Sequence, residues 1–232
     1  MNEPKILIAG TGRAGTTLLV QVMTDLGFDT GFKPGIQANP ASRAGLEKNV
    51  LTPNAPRVVK SPRLSVELGP LLAAGLVEVE HVIIPVRNLD IAAASRVRAA
   101  GYGKSLNAPG GMLWGSKRAS HQRGAVGEVL AQLMVTVAQY DVPHTLLYFP
   151  RFASDPQYTF SKLAVLDPRL TLQDYERVLH ERYRPDYVHE QALDRTEQRR
   201  MLLMHPVSVA KHASAALQRR ITGLMQRTTK KS

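Results

Sequence analysis

Lys5-Ile6-Leu7-Ile8-Ala9-Gly10-Thr11-Gly12-Arg13-Ala14-Gly15-Thr16-Thr17-Leu18-Leu19 opens as an apolar run, turns through glycines and leaves as an amphipathic segment. The short apolar run between Lys5 and Gly10, rich in β-branched residues, predicts a buried parallel strand. The stretch from Thr16 to Leu26 has the spacing of a helix. Strand, Gly-rich turn and helix in that order surround one point with backbone N–H groups and the positive end of a helix, which suits an anion. Glycine is needed there because a side chain would keep a phosphate away from the backbone. The hydroxyls of Thr16 and Thr17 add donors. The alternative is a Gly-rich turn that binds nothing.

Gly10 and Gly15 stand in the spacing G-x-x-x-x-G, followed by two threonines. A nucleoside-triphosphatase P-loop has Lys after the second glycine, then Ser or Thr. Here Thr16 fills the Lys position and the cation stands inside the loop as Arg13. A kinase without that Lys loses the group that reaches the outer phosphates. A loop with a basic residue two before the glycine still holds a phosphate or sulfate.

Working outward, strand and helix patterns alternate. Arg57 to Lys60, Glu80 to Val86 and His144 to Phe149 predict further strands. Pro85 belongs near the end of its strand or at a bulge. Helices are predicted over Leu64 to Ala74, Leu89 to Ala100, His121 to Tyr140, Asp155 to Leu166, Thr171 to Tyr183, Asp194 to His205 and Ser208 to Arg227. Lys33 to Pro56, punctuated by Pro34, Pro40 and Pro53, predicts a long loop with a short helix around Ser42 to Leu51. Gly101 to Lys117 reads as a loop over a site. The expected fold is α/β: three layers, a mostly parallel sheet with a P-loop-like anion-binding loop, and a helical C-terminal part. Residues 1–232 form one domain in this reading, with residues from about 171 to 232 as a helical appendage.

Ligands of such sheets bind beyond the C-terminal strand ends. Arg13, Lys60, Arg87 and Arg151 each follow a predicted strand. Ser95 lies two helical turns beyond Arg87, so an Arg fork and a hydroxyl face one crevice as a second anion site, separate from the Gly-rich loop. The bland alternatives are an Arg87–Asp90 ion pair and a Ser95 that merely permits helix packing.

Composition sets bounds. A chain of 232 residues with 44% hydrophobic content supports a sizeable core. No apolar run approaches the ~20 residues of a membrane span. Met1 to Pro4 leads straight into the first strand, so no signal peptide is expected and the cytoplasm is the expected location. Cysteine is absent, which removes disulfides and thiolate sites. The net charge of +11 suits an anionic partner. No interleaving of aromatic and basic residues favours nucleic acid. The seven histidines have no metal-ligand spacing, and no metal is expected.

With these motifs in view, the chain resembles the sulfotransferase family that uses 3′-phosphoadenosine-5′-phosphosulfate. Gly10-Thr11-Gly12-Arg13-Ala14-Gly15-Thr16-Thr17 is similar to that family's 5′-phosphosulfate loop, and Arg87 to Ser95 to its 3′-phosphate motif. Arg57-Val58-Val59-Lys60-Ser61-Pro62-Arg63-Leu64 resembles a strand end of bacterial and carbohydrate-type members, and His144 to Leu163 their later strand and helix. The likeness covers residues 5–166. It implies that Gly12, Arg13, Ala14, Gly15, Thr16 and Thr17 hold the 5′-phosphosulfate, that Arg87 and Ser95 hold the 3′-phosphate, and that Lys60 lies near the transferred sulfuryl. The implied acceptor is a small molecule or glycan: a hydroxyl of a carbohydrate, glycolipid or secondary metabolite. Nucleic acid is not an expected partner.

Pro62 stands where the small-molecule branch has its His, so the base must come from elsewhere. Asn39 to Glu47 resembles a Glu-bearing segment of bacterial members, which makes Glu47 the favoured base, with Asp25 and Asp29 behind it. The plain alternative for Glu47 is an exposed helical residue paired with Lys48 or Arg43. Asp25 is expected on the solvent face of its helix. Arg96, Arg98, Lys117, Arg118 and Arg123 are candidates to replace a basic C-terminal segment that this chain lacks. Trp114 and Tyr102 either line the acceptor pocket or simply pack. Two alternatives remain, a P-loop nucleotide kinase and a non-catalytic nucleotide-binding protein.

Overall fold

Four short apolar runs become four strands, β1 (Lys5–Ile8), β2 (Val58–Lys60), β3 (Val79–Val86) and β4 (His144–Tyr148). A computed structural model of the chain describes residues 3–39, 44–101 and 118–185. Within them the strands form one all-parallel sheet in the order β2-β1-β3-β4. Seven α-helices are described: α1 (Thr16–Asp25), α2 (Leu64–Ala73), α3 (Leu89–Gly101), α4 (Gln122–Gln139), α5 (Arg151–Ser154), α6 (Pro156–Leu163) and α7 (Leu172–Arg182). The fold is therefore α/β, as expected, and its sheet is parallel throughout.

Strand side chains alternate between faces, and the core divides accordingly. Ile6, Ile8, Val58, Ile83 and Leu147 pack against α1, α5, α6 and α7. Leu7, Val59, Val82 and Ile84 pack against α2 and α4. Apolar residues on both faces of β1 explain why its sequence reads as continuous rather than alternating. Pro85 sits beyond the last β3 residue paired with β1, Ile83, and is paired only with Leu147 of β4. A residue with no N–H is tolerated there because the β1 ladder ends at Ile8, although Gly10 still lies close against Pro85.

Two expectations need correction. No helix forms among residues 44–51; this stretch is irregular chain ending in a turn. Nor is α7 peripheral, because its Tyr175, Val178 and Leu179 are buried in the same cluster as α1. The Thr171–Asp174 capping box starts that helix. The helix predicted from His121 begins at Gln122 after a single turn of 3-10 helix. The predicted helices beyond Asp194, most of the loop from Gly101 to Lys117, and Tyr102, Trp114 and Lys117 lie outside the described residues. Among the described residues no helix is long and apolar enough to cross a membrane.

Candidate functional site

The order β2-β1-β3-β4 places the chain's change of direction between β1 and β3. Loops leaving two such strands part on opposite sides and open a crevice at the C-terminal strand ends. The Gly-rich loop follows β1 there, and Arg87 and α3 follow β3. A cleft of about 680 Å³ begins at this point and runs towards the end of α7.

The loop owes its shape to side chains from elsewhere. Ser65 of α2 accepts from the Gly10 N–H at 2.8 Å and donates to the Gly10 carbonyl at 2.7 Å. Gly12, Arg13 and Gly15 then take left-handed conformations, with φ of 68°, 59° and 78°. At Gly15 a Cβ would lie 2.5 Å from the Phe149 ring, so both backbone and packing demand glycine. Arg13 has no such freedom, and its conformation costs on the order of 1–3 kcal/mol. Neighbouring bonds hold it. Arg13 Nε donates to Ser95 Oγ at 3.0 Å, and Arg87 Nη1 donates to the Arg13 carbonyl at 3.2 Å. Arg96 donates to the Thr11 carbonyl. Arg87 also lies over the Phe149 ring, 4.9 Å from its centre.

Arg87 and Ser95 therefore do not form a centre apart from the loop, as the sequence predicts; both touch Arg13. Arg87 is not paired with Asp90, which bonds Arg123 at 2.8 Å. Arg96 is buried beneath the loop, and burial next to the Arg13 charge lowers its pKa to about 10. It supports the loop rather than replacing a closing segment.

The first turn of α1 faces the cleft through Thr16 and Thr17. This helix has no side-chain N-cap and no acidic residue in its first turn, so none of its own residues offsets its positive end. Ala14 is fully buried and does not line the cleft. Lys60 ends β2 opposite Ile8 and is only 5% exposed. Its Nζ donates to Glu47 Oε1 at 2.5 Å, to the Gly45 carbonyl at 2.7 Å and to Thr17 Oγ1 at 3.4 Å. Burial lowers the Lys60 pKa; Glu47 opposes that shift and the Arg13 charge adds to it. Glu47 is thus on irregular chain rather than a helix, and its partner is Lys60.

The far end of the cleft is closed by a knot that the sequence does not announce. Asp25 and Arg182 form a forked ion pair, with side chains 10% and 9% exposed. Asp25 accepts the Gly35 N–H at 3.0 Å, while Arg182 and Gln21 both donate to the Ile36 carbonyl. Burial pushes the Asp25 carboxyl up, but the Arg182 and Gly35 hydrogen bonds outweigh it and leave the pKa below its usual value. Asp25 is therefore not on the solvent face. Asp29 is engaged with the backbone N–H groups of Gly31 and Arg57 and does not line the cleft. Arg151 bonds Asp155 at 2.9 Å and lies outside the cleft, so only three of the four strand-end cations gather there.

Among the described lining residues, the cations Arg13, Lys60, Arg87, Arg177, Arg182 and Arg184 outnumber the carboxylates Asp25, Glu47 and Glu181. Such a cleft draws anions and disfavours cations. Among the described residues no cluster of His, Asp and Glu could hold a metal. Sequence reading missed Ser65, Phe149 and the Asp25–Arg182 knot. Their roles come from contacts 55 to 157 residues away in the chain, which local patterns do not encode. No protein-family model matches the chain, and neither does any curated protein or solved structure.

Proposed function

We propose that this protein is a sulfotransferase that moves a sulfuryl group from 3′-phosphoadenosine-5′-phosphosulfate to a hydroxyl of a carbohydrate, glycolipid or secondary metabolite. One observation carries the reading: Arg13, Ser95 and Arg87 meet on a Gly-rich loop at an uncapped helix N-terminus, with Lys60 on the neighbouring strand end. That donor set, gathered around Arg13, suits a ligand with more than one anionic group. It relies on arginine, lysine, hydroxyls and backbone rather than on a Walker lysine, which favours this donor over a nucleoside triphosphate.

The donor supplies an activated sulfuryl whose acceptance by a hydroxyl releases a phosphate oxygen carrying new negative charge. The residues of the chain bind, orient and stabilise. Arg13, Thr16, Thr17 and the α1 N-terminus hold the 5′ end through charge and N–H groups. Arg87 and Ser95 hold the 3′-phosphate. Lys60, buried and positively charged, lies where charge develops on the leaving oxygen, and fixed cations there lower the barrier. Glu47 removes the proton of the acceptor hydroxyl.

A second reading has its own observation. The Glu47 carboxylate is 2.5 Å from Lys60 and so is already engaged, as in a protein that binds nucleotide without turning it over. Thermal unfolding with ligands separates the readings. Adenosine 3′,5′-bisphosphate should raise the midpoint, 5′-AMP should do so less, and Arg87→Ala should abolish the difference. Stabilisation by Mg-ATP alone would refute the sulfotransferase reading. Turnover abolished in Glu47→Gln supports the base, and full activity in that variant removes it.

A further inference from the structure

Two of the oxygens that hold Lys60 belong to one short segment between α1 and β2: the Gly45 carbonyl at 2.7 Å and Glu47 Oε1 at 2.5 Å. The third, Thr17 Oγ1, belongs to the first turn of α1, and it donates to the same Gly45 carbonyl at 3.4 Å. A carbonyl and a carboxylate therefore sit where Lys60 meets the positive end of α1. They offer the oxygens and the charge that a bound phosphate or sulfate would offer.

The segment reaches that point with its backbone under constraint. Gly45 has φ of 110° and Leu46, which is not glycine, has φ of 63°. Glu47 itself is 43% exposed, so water already solvates part of it and its departure needs little rearrangement. Lys60, in contrast, is fixed in the sheet and buried. A buried ammonium without a counter-charge is costly, so an anion facing Lys60 stabilises its charged form.

We infer that residues 45–47 are a built-in competitor for the anion site, with Glu47 neutralising Lys60 until an incoming phosphate or sulfate takes its place. The inference rests on reading the cleft as an anion site. The exchange is balanced, one anion leaving as another arrives, and Lys60 stays neutralised throughout. It makes Glu47 a specificity determinant, since a neutral or weakly charged ligand does not displace a full carboxylate. It also couples two events, because Glu47 becomes available to an acceptor hydroxyl only after the anion has seated.

Calorimetric titration of the wild-type chain and Glu47→Gln with inorganic sulfate, 5′-AMP and adenosine 3′,5′-bisphosphate tests this. The amide keeps the shape and removes the competing charge, so the variant should bind sulfate and bisphosphate about tenfold more tightly. In the unaltered protein, saturating bisphosphate should accelerate amide hydrogen exchange across residues 44–48. Equal or weaker bisphosphate binding by Glu47→Gln, or an unchanged exchange rate, overturns the competitor and leaves the donor assignment standing. Tighter sulfate binding with no preference for bisphosphate over 5′-AMP upholds the competitor and overturns the donor assignment. No anion binding by either protein overturns both.

Discussion

The two ends of the cleft hold their arginines through different partners. At the Gly-rich loop, Arg13 and Arg96 donate to a serine hydroxyl and a backbone carbonyl, both neutral. At the far end, Arg182 is forked onto a carboxylate, Asp25. A bond to a neutral oxygen positions a charge without cancelling it, whereas a bond to a carboxylate positions and cancels it. The bonds at the loop end fix its shape, and those at the α7 end lock two helices and a loop together. Lys60 stands between them, and its Glu47 partner makes it resemble the α7 end.

Removing the lock should have the largest effect on stability. Asp25→Asn leaves the Arg182 charge nine-tenths buried without its carboxylate and should cost about 3 kcal/mol in denaturant unfolding at neutral pH. The effect should depend on pH. The folded-state pKa of Asp25 lies below its ordinary 3.8, so its contribution is fully present above pH 3.8 and is lost as pH falls through the folded value. The gap between wild type and variant should therefore narrow in acid, and a gap constant from pH 6 to pH 2.5 would break the comparison.

A smaller loss is expected at the loop end. Ser65→Ala leaves the buried Gly10 N–H without its acceptor, at a cost of about 1–3 kcal/mol. If the loop presents charge, the same variant should also weaken bisphosphate binding, because Gly10 fixes the start of the turn that carries Arg13. Unchanged affinity would mean that the α3 contacts alone set the loop. The smallest effect belongs to Arg151, whose exposed pair with Asp155 is remote from both ends. Arg151→Ala should change stability by less than about 1 kcal/mol and leave anion binding unaltered.

The fold was more legible in the sequence than the site. Four short runs bounded by Gly, Pro and polar residues locate every described strand to within a residue or so: β1, β2 and the middle of β3 are buried on both faces, while β4 keeps the pattern although His144, Leu146 and Tyr148 are exposed. Gly10, Gly12 and Gly15 likewise announce a turn before contacts are known. Glu47 could be named from its neighbours, but its engagement with Lys60 depends on a loop crossing back over β2, which has no periodicity. Arg151 looks equivalent to Lys60 and Arg87 in sequence, yet β4 is an edge strand and its following helix directs Arg151 away from the cleft.

The Asp25–Arg182 pair spans 157 positions of the chain. The four described strands lie before residue 149, so the sheet they form is available before α7 emerges from a ribosome. The cleft wall is not, since its clamp needs Arg182. A nascent chain would therefore hold its sheet, its Gly-rich loop and Lys60 before the wall clamped by Arg182 forms around them.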